Sequence, residues 1–151
     1  MVLMKAKHLQ VRIKQCDLIA SSSPCPRRKV GAVIVDPSTN VIISEGYNGT
    51  PRGSTKAFCG GSTCKRITKN IASGTQNDIG CHHAEMNAIL NATRTGNSTL
   101  GKWLIVNCDP CLMCAKAIHH SGIVRVYSPN IGGAGLHYLK ENQVETLVIE
   151  A

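Results

Sequence analysis

The residues of this sequence that are best suited to chemistry lie in two short segments about 28 residues apart. The first is a His-Ala-Glu tripeptide that begins at His83, and the second is a Cys-x-x-Cys pair, Cys111 and Cys114, that follows Pro110. Two thiolates and one imidazole can hold zinc with a fourth, open position, which is the ligand set of a catalytic zinc centre.

Glu85 adds a group that can move protons. Because residues two apart do not share a face of a helix, His83 and Glu85 can converge only if His83 lies in the first turn and the site lies beyond the helix end. The pair Cys111 and Cys114 shares one face, and a helix N-terminus favours the thiolate form. Glu85 would then take a proton from a zinc-activated water without ligating the metal.

Neither segment is specific alone. A Cys-x-x-Cys pair can be a redox couple or two core residues, and His-x-Glu is common by chance. Together, with each segment opening a predicted helix, they form the His-x-Glu and Pro-Cys-x-x-Cys signature of zinc nucleobase deaminases.

Composition limits the class of protein. A length of 151 residues predicts a single domain spanning 1–151, with 42% apolar residues to build a core and 3% aromatic residues. The net charge of +8 favours anionic partners such as nucleic acid, membrane lipid or phosphorylated small molecules. Few aromatic side chains argue against single-stranded nucleic acid, so nucleic acid is not the expected partner.

Location is predicted from what the sequence lacks. It has no run of about 18 apolar residues and no signal-peptide pattern at its start, so we expect a cytoplasmic protein that does not contact the membrane. Its eight cysteines should then be reduced, and the clustered ones are expected to bind metal.

Hydrophobic periodicity predicts alternating helices and strands. We expect helices over 4–21, 83–94, 111–121 and 136–140, and strands over 30–35, 41–46, 104–106, 123–127 and 144–149. Residues 47–82 read as a long polar loop, which in a compact domain is typically functional or disordered. The order predicts a mixed sheet layered by helices.

Four segments resemble the cytidine deaminase-like superfamily, and within it the deoxycytidylate (dCMP) deaminases. They are 29–34, 46–51, 83–89 and 110–118, and the resemblance extends over roughly 5–128. It implies a three-layer α/β fold, with a five-stranded mixed sheet and helices on both faces. It also implies hydrolytic deamination of dCMP to dUMP and ammonia, with dUMP supplied for dTTP synthesis.

The resemblance also implies substrate contacts. Asn48 matches the residue that holds the sugar, although an Asn-Gly pair alone is typical of a turn, and the Ala84 backbone matches the group that holds the base. For the phosphate we predict Arg27 and Arg28, which precede the first strand, and Tyr127 at a strand end.

Regulation is a further expectation from the resemblance: a homo-oligomer, specifically a hexamer, activated by dCTP and inhibited by dTTP with Mg²⁺. The expected effector residues are Gly46, Tyr47, Gly49 and Arg94. Basic residues of the long loop are available for a triphosphate, namely Lys56, Lys65, Arg66 and Lys69.

A second, structural zinc is also predicted. Cys16 and Cys108 read as core residues, which leaves four cysteines around the loop: Cys25, Cys59, Cys64 and Cys81. The spacing of Cys59 and Cys64 is usable for zinc, and some dCMP deaminases have such a site, whose ligands Cys25 and Cys59 match best. The alternative is four reduced thiols.

Two other functions remain open. A tRNA adenosine deaminase shares both motifs and is favoured by Met113 and the basic charge, whereas the 46–49 segment and Asn87 favour dCMP. A zinc-supported nucleic-acid-binding module is the non-enzymatic alternative. Glu85 argues against it, because a structural site has no use for an unligated carboxylate.

Overall fold

The computed structural model describes residues 2–54, 64–72, 79–129 and 132–149. Its elements, in chain order, are α1 (Ala6–Ala20), β1 (Gly31–Asp36), β2 (Val41–Tyr47), α2 (Lys65–Thr68), α3 (Ala84–Arg94), β3 (Trp103–Val106), α4 (Leu112–His120), β4 (Arg125–Ser128), α5 (Ala134–Glu141) and β5 (Glu145–Val148). The predicted order is confirmed, with bounds shifted by a few residues. The short helix α2 is an addition within the segment predicted to be loop.

The five strands form one mixed sheet in the order β2-β1-β3-β4-β5. Strand β1 runs antiparallel to both β2 and β3, whereas β3, β4 and β5 are parallel. Parallel neighbours need a crossover, and α4 and α5 provide the two that this sheet requires. The predicted five-stranded mixed sheet is therefore confirmed.

Helices cover both faces of the sheet. Side chains alternate along a strand, so Ile34 of β1 faces the core built by α3, α4 and α5, while Val33 faces the core that includes Cys16 of α1. Because β1 is covered on both sides, residues 31–35 are all buried and read as a continuous apolar run. Among the described residues no helix is long and apolar enough to span a membrane.

The backbones of β2 and α3 are in close contact at Gly46. A Cβ at Gly46 would overlap the backbone nitrogen of Ala88, so glycine is required for this approach. The Ser44 hydroxyl donates to the Ala88 carbonyl at 2.6 Å, and Asn87 Nδ2 donates to the Tyr47 carbonyl at 2.8 Å. These contacts fix the position of the helix that begins immediately after His83.

Candidate active site

Two helix starts meet on the face of the sheet covered by α3, α4 and α5. His83 and Cys111 are the residues that cap α3 and α4, and both have extended backbone, with φ −73° in each case. An extended residue at this position directs its side chain off the helix end rather than along the helix surface. Both side chains therefore leave the N-terminal ends of their helices, and the packing of α3 beside α4 brings them together.

The three expected ligand atoms converge there. His83 Nδ1 lies 3.4 Å from Cys111 Sγ and 3.4 Å from Cys114 Sγ, and all three atoms lie within 4.8 Å of one another. Tetrahedral zinc with ordinary bond lengths places a nitrogen and a sulfur about 3.6 Å apart, so the donor set fits this ion. Within the described ranges, no other group of three His, Cys, Asp or Glu side chains comes together in this way.

The two thiols differ in acidity. Hydrogen bonding from the Cys114 thiol, and next from His83, lowers the pKa of Cys111 to about 4. The same hydrogen bond and burial raise the pKa of Cys114, and the hydrogen bond to Cys111 raises the pKa of His83. The site thus favours the thiolate form of Cys111, whereas Cys114 must lose its proton to bind a cation.

Glu85 lies in the first turn of α3 and is 4% exposed. Burial raises its pKa to about 7, because the charged carboxylate loses its hydration. A carboxyl group that titrates near neutral pH can both accept and release a proton, as general acid–base catalysis requires. The buried carboxyl and the three ligands together form an arrangement suited to hydrolysis.

A cleft of about 270 Å³ adjoins the ligand cluster. His83 and Cys114 lie in its wall, together with Met86, Leu90 and Met113. Among the described residues, the cleft thus borders two of the three expected ligands, His83 and Cys114.

Asn48 lies at the end of β2, and its side chain binds the segment before β1. Its Oδ1 accepts from the Val30 backbone nitrogen at 2.9 Å, and its Nδ2 donates to the Arg28 carbonyl at 2.8 Å. The predicted base-holding residue, Ala84, is fully buried as the first residue of α3.

Of the predicted phosphate residues, Arg28 is exposed, and Arg27 uses Nη1 to donate to the Ile71 carbonyl at 2.7 Å. Burial raises the pKa of Cys108 to about 11, and the positive charge of Arg28 partly opposes this, so Arg28 lies near the loop before α4. Arg27 therefore joins the segment 64–72 to the residues preceding β1.

Tyr127 is not brought to this site. Its ring lies in the core on the α1 face with Cys16, Val33 and Ile105, and its hydroxyl accepts from the Met4 backbone nitrogen at 3.2 Å. The prediction considered the strand end but not the strand face, since alternation along β4 directs this side chain away from α3 and α4. The structure assigns Tyr127 to packing.

Three of the expected effector residues make structural contacts near His83. Gly46 packs against α3 and the Tyr47 carbonyl accepts from Asn87, while Gly49 pairs with His82 through hydrogen bonds of 3.1 and 3.0 Å. Arg94 is exposed at the last residue of α3, on the opposite end of the helix from His83. Effector binding by these residues stays a prediction.

The proposed second zinc involves residues that the structure describes only in part. Cys59 lies outside the described residues, as does the predicted effector lysine Lys56. Cys64 is buried, and Cys25 Sγ accepts from the Arg28 backbone nitrogen at 3.4 Å. Among Cys25, Cys64 and Cys81 no ligand cluster is formed.

Arg66 of α2 is closer to the metal ligands than the sequence indicated. The hydrogen bond to Cys111 is the main cause of the raised pKa of His83, and the charge of Arg66 partly opposes it. The Arg66 side-chain stem lies against Gly80, where a Cβ would be 2.8 Å from Arg66 Cγ. A helix of four residues in a polar segment has no periodicity from which this contact could be predicted.

Comparison with known proteins identifies the family. Residues 5–129 match the family described as the cytidine and deoxycytidylate deaminase zinc-binding region. A deoxycytidylate deaminase of Schizosaccharomyces pombe is 40% identical over 117 residues, covering 76% of this chain and 34% of that protein. A deoxycytidylate deaminase of Mycobacterium phage D29 is 37% identical over 117 residues, covering 73% and 84%. The chain spans about a third of the length of the two yeast relatives it matches.

A solved structure agrees with the sequence comparison. The dCMP deaminase from cyanophage S-TIM5, in complex with dCMP and dUMP, superposes with a TM-score of 0.77 at 30% identity, covering 97% of this chain and 99% of that one. The ligand cluster and the order of strands in the sheet are consistent with the family that these comparisons identify. This chain belongs to the cytidine and deoxycytidylate deaminase zinc-binding family.

Proposed function

We propose that this protein is a zinc-dependent hydrolase that converts dCMP to dUMP and ammonia. The observation that carries the proposal is the convergence of His83, Cys111 and Cys114 beside the buried carboxyl of Glu85. The relatives named as dCMP deaminases, and the cyanophage enzyme bound to dCMP and dUMP, support this substrate.

In this proposal the ligands are His83, Cys111 and Cys114, and zinc bound to them supplies the Lewis acidity that lowers the pKa of a water to near 7. Glu85 accepts a proton from the water as its oxygen bonds to C4 of the cytosine ring. Glu85 passes that proton to ring N3, and then carries the proton of the new C4 hydroxyl to the amine as the C4–N bond breaks, which leaves the C4 carbonyl of uracil and releases ammonia. Because Glu85 is enclosed, its proton passes to the substrate rather than to bulk water.

Substrate binding follows from the residues around the ligand cluster. Asn48 uses one Nδ2 proton on Arg28, and its second Nδ2 proton is proposed to bind a sugar hydroxyl. The backbone of Ala84 holds the base. Arg27 and Arg28 supply the positive charge for the 5′-phosphate, since Arg27 spends one of its five donors on Ile71 and Arg28 is exposed.

We further propose regulation by dCTP as activator and dTTP as inhibitor, with Mg²⁺, in a homohexamer. The pairing of Gly49 with His82 supports this, because it joins the loop after β2 to the residue preceding His83. A nucleotide that binds one arrangement of the loop more tightly would shift the α3 start with it. Gly46, Tyr47 and Arg94 complete the proposed effector set.

Two lesser proposals concern metal content and location. A second, structural zinc on Cys25, Cys59, Cys64 and Cys81 predicts two zinc ions per chain, and finding one per chain would refute it. We also propose a cytoplasmic location, where thiols stay reduced and Cys111 and Cys114 can bind zinc.

The function is tested by measuring ammonia release from three substrates: dCMP, deoxycytidine and a tRNA anticodon stem. We expect dCMP to have the highest kcat/KM, because the nucleoside lacks the phosphate and the RNA presents adenosine. Preferential turnover of the RNA would instead make this chain a tRNA adenosine deaminase. Zinc binding without turnover of any of the three would favour the nucleic-acid-binding module.

A further inference from the structure

The first turn of α5 lies directly against the loop that carries Cys111. Gly135 is buried there, and a Cβ at this position would overlap the Pro110 carbonyl oxygen and lie 2.8 Å from the Cys111 carbonyl oxygen. A side chain cannot be accommodated unless one backbone segment moves. Glycine at 135 therefore permits an approach of two backbones that no other residue allows.

The carbonyl groups beneath Gly135 also begin α4. The Cys111 carbonyl accepts from the Ala115 backbone nitrogen at 2.8 Å, which is the first hydrogen bond of that helix. In the same turn, the Cys114 backbone nitrogen donates to Cys111 Sγ at 3.4 Å. A shift of the 110–111 peptide would therefore redirect the thiolate that faces His83.

Two more contacts hold α5 beside α4. Before α5 begins, the Gly132 backbone nitrogen donates to Asp109 Oδ2 at 3.0 Å. Toward the far end of the pair, His119 Nδ1 and the Tyr138 hydroxyl are 2.8 Å apart. The helix is thus attached to the 109–111 loop and to the body of α4, so it moves with the metal ligands.

We propose that α5 is a positioning element of the metal centre, and that Gly135 is the residue through which it sets the direction of Cys111. This helix lies beyond residues 5–129, which match the family's zinc-binding region. The inference rests on the metal site of the proposed function and assigns to α5 a role in metal affinity, beyond its share of the hydrophobic core.

The test is Gly135→Ala in the full chain, with Gly31→Ala as a matched control. A Cβ at Gly31 would also overlap a backbone carbonyl, that of Cys16, but on the α1 face of the sheet. Zinc affinity is measured by competition with a chromophoric chelator, and ligand geometry by the absorption bands of the Co²⁺-substituted protein. We expect Gly135→Ala to lower zinc affinity about 10-fold or more and to alter the Co²⁺ bands. Gly31→Ala should lower Tm and leave both metal readouts unchanged.

A second pair of variants avoids the overlap in case Gly135→Ala does not fold. Asp109→Ala removes the acceptor of the Gly132 N–H, whereas Asp109→Asn keeps an oxygen there and loses the same charge. Zinc affinity should fall for Asp109→Ala and be retained for Asp109→Asn. Equal affinity in both, or equal zinc loss in Gly135→Ala and Gly31→Ala, would overturn the inference. If the wild-type chain itself binds no zinc, the proposed function fails instead.

Discussion

Glu85 is a carboxyl group enclosed by protein, next to thiols whose pKa values are driven apart. Burial is the main cause of its raised pKa, and the His83 and Cys114 side chains partly oppose that effect. Buried carboxyl groups with raised pKa values cluster at catalytic sites, where they exchange protons during the reaction. Three predictions concern single residues: the role of Glu85 in catalysis, its effect on stability at different pH, and the role of Arg27 in binding the substrate phosphate.

Glu85→Gln should retain zinc and lose activity by at least about 10²–10⁴-fold, because the amide cannot carry the proton from water to the amine. Cys111→Ser, in contrast, should lose the metal. Zinc content and ammonia release from dCMP distinguish the two variants. Glu45→Gln is the control, since Glu45 is exposed on β2. Substantial turnover by Glu85→Gln would exclude this mechanism.

The raised pKa of Glu85, about 7 against 4.5, also predicts a pH effect on stability after zinc is removed by chelation. The folded chain binds more protons at this group than the unfolded chain, so its contribution is lost as pH rises from 4.5 through 7. Glu85→Gln removes this loss and should stabilise the chelated protein at pH 8 by about 3 kcal/mol relative to its effect at pH 4. Urea unfolding at both pH values measures the difference, and a pH-independent effect would contradict it.

Arg27→Ala should raise KM for dCMP about 10-fold or more while changing KM for deoxycytidine much less, because a charge-assisted hydrogen bond to phosphate is lost. Lys29→Ala, an exposed cation two residues away, is the control. Steady-state kinetics with both substrates provide the comparison. Equal changes in the two KM values would show that Arg27 acts through its bond to Ile71 and does not bind the phosphate.

At the scale of elements, the site depends on how β2 holds α3. Two asparagines of α3 donate to carbonyls of β2: Asn87 to Tyr47 at 2.8 Å and Asn91 to Glu45 at 2.8 Å. They lie on the same helix face, and Asn87 is one turn closer to His83. Variants at the two positions therefore separate a loss of attachment between α3 and β2 from a change in the position of His83.

Asn91→Ala should lower the free energy of unfolding by about 1 kcal/mol, since it removes one side-chain hydrogen bond, to Glu45. Asn87→Ala should lower it by about 1–2 kcal/mol, since it removes the bonds to Tyr47 and to the His82 ring. Asn87→Ala should also weaken zinc binding and lower kcat, because the start of α3 loses its tie to β2. Urea unfolding and chelator competition measure the two effects. If Asn91→Ala weakens zinc binding to the same extent, distance from His83 does not matter and the explanation is wrong.

At the scale of the whole molecule, the chain is basic, with a net charge of +8, and one of its clefts borders the metal ligands His83 and Cys114. Such a charge raises the local concentration of anionic nucleotides, whether as substrates or as effectors. The loop after β2 connects to the His83 segment through Gly49 and His82. Regulation across the molecule is therefore testable by kinetics.

We expect dCTP to lower, and dTTP to raise, the dCMP concentration needed for half-maximal rate, with a coupling of about 1–3 kcal/mol and in the presence of Mg²⁺. Saturation curves with each nucleotide test this, and sedimentation tests the hexamer. Hyperbolic curves that neither nucleotide shifts would remove regulation and leave the deaminase activity unaffected.

The sequence by itself determined features that depend on neighbours along the chain. The helix starts at His83 and Cys111, the thiol pair Cys111 and Cys114 on one turn, and the order of helices and strands all follow from local spacing and periodicity. Local rules suffice because a helix end directs its capping side chain in a known way.

The tertiary structure decided features that depend on contacts between distant segments. Tyr127 was expected near the substrate, but the face of β4 that α1 covers determines where its ring lies. A side chain at Gly135 would overlap the Pro110 carbonyl, and the stem of Arg66 lies against Gly80. These contacts join segments that are far apart along the chain, and no periodic pattern in the sequence relates one segment to the other. Only the packing of the helices onto the sheet determines which of these residues meet.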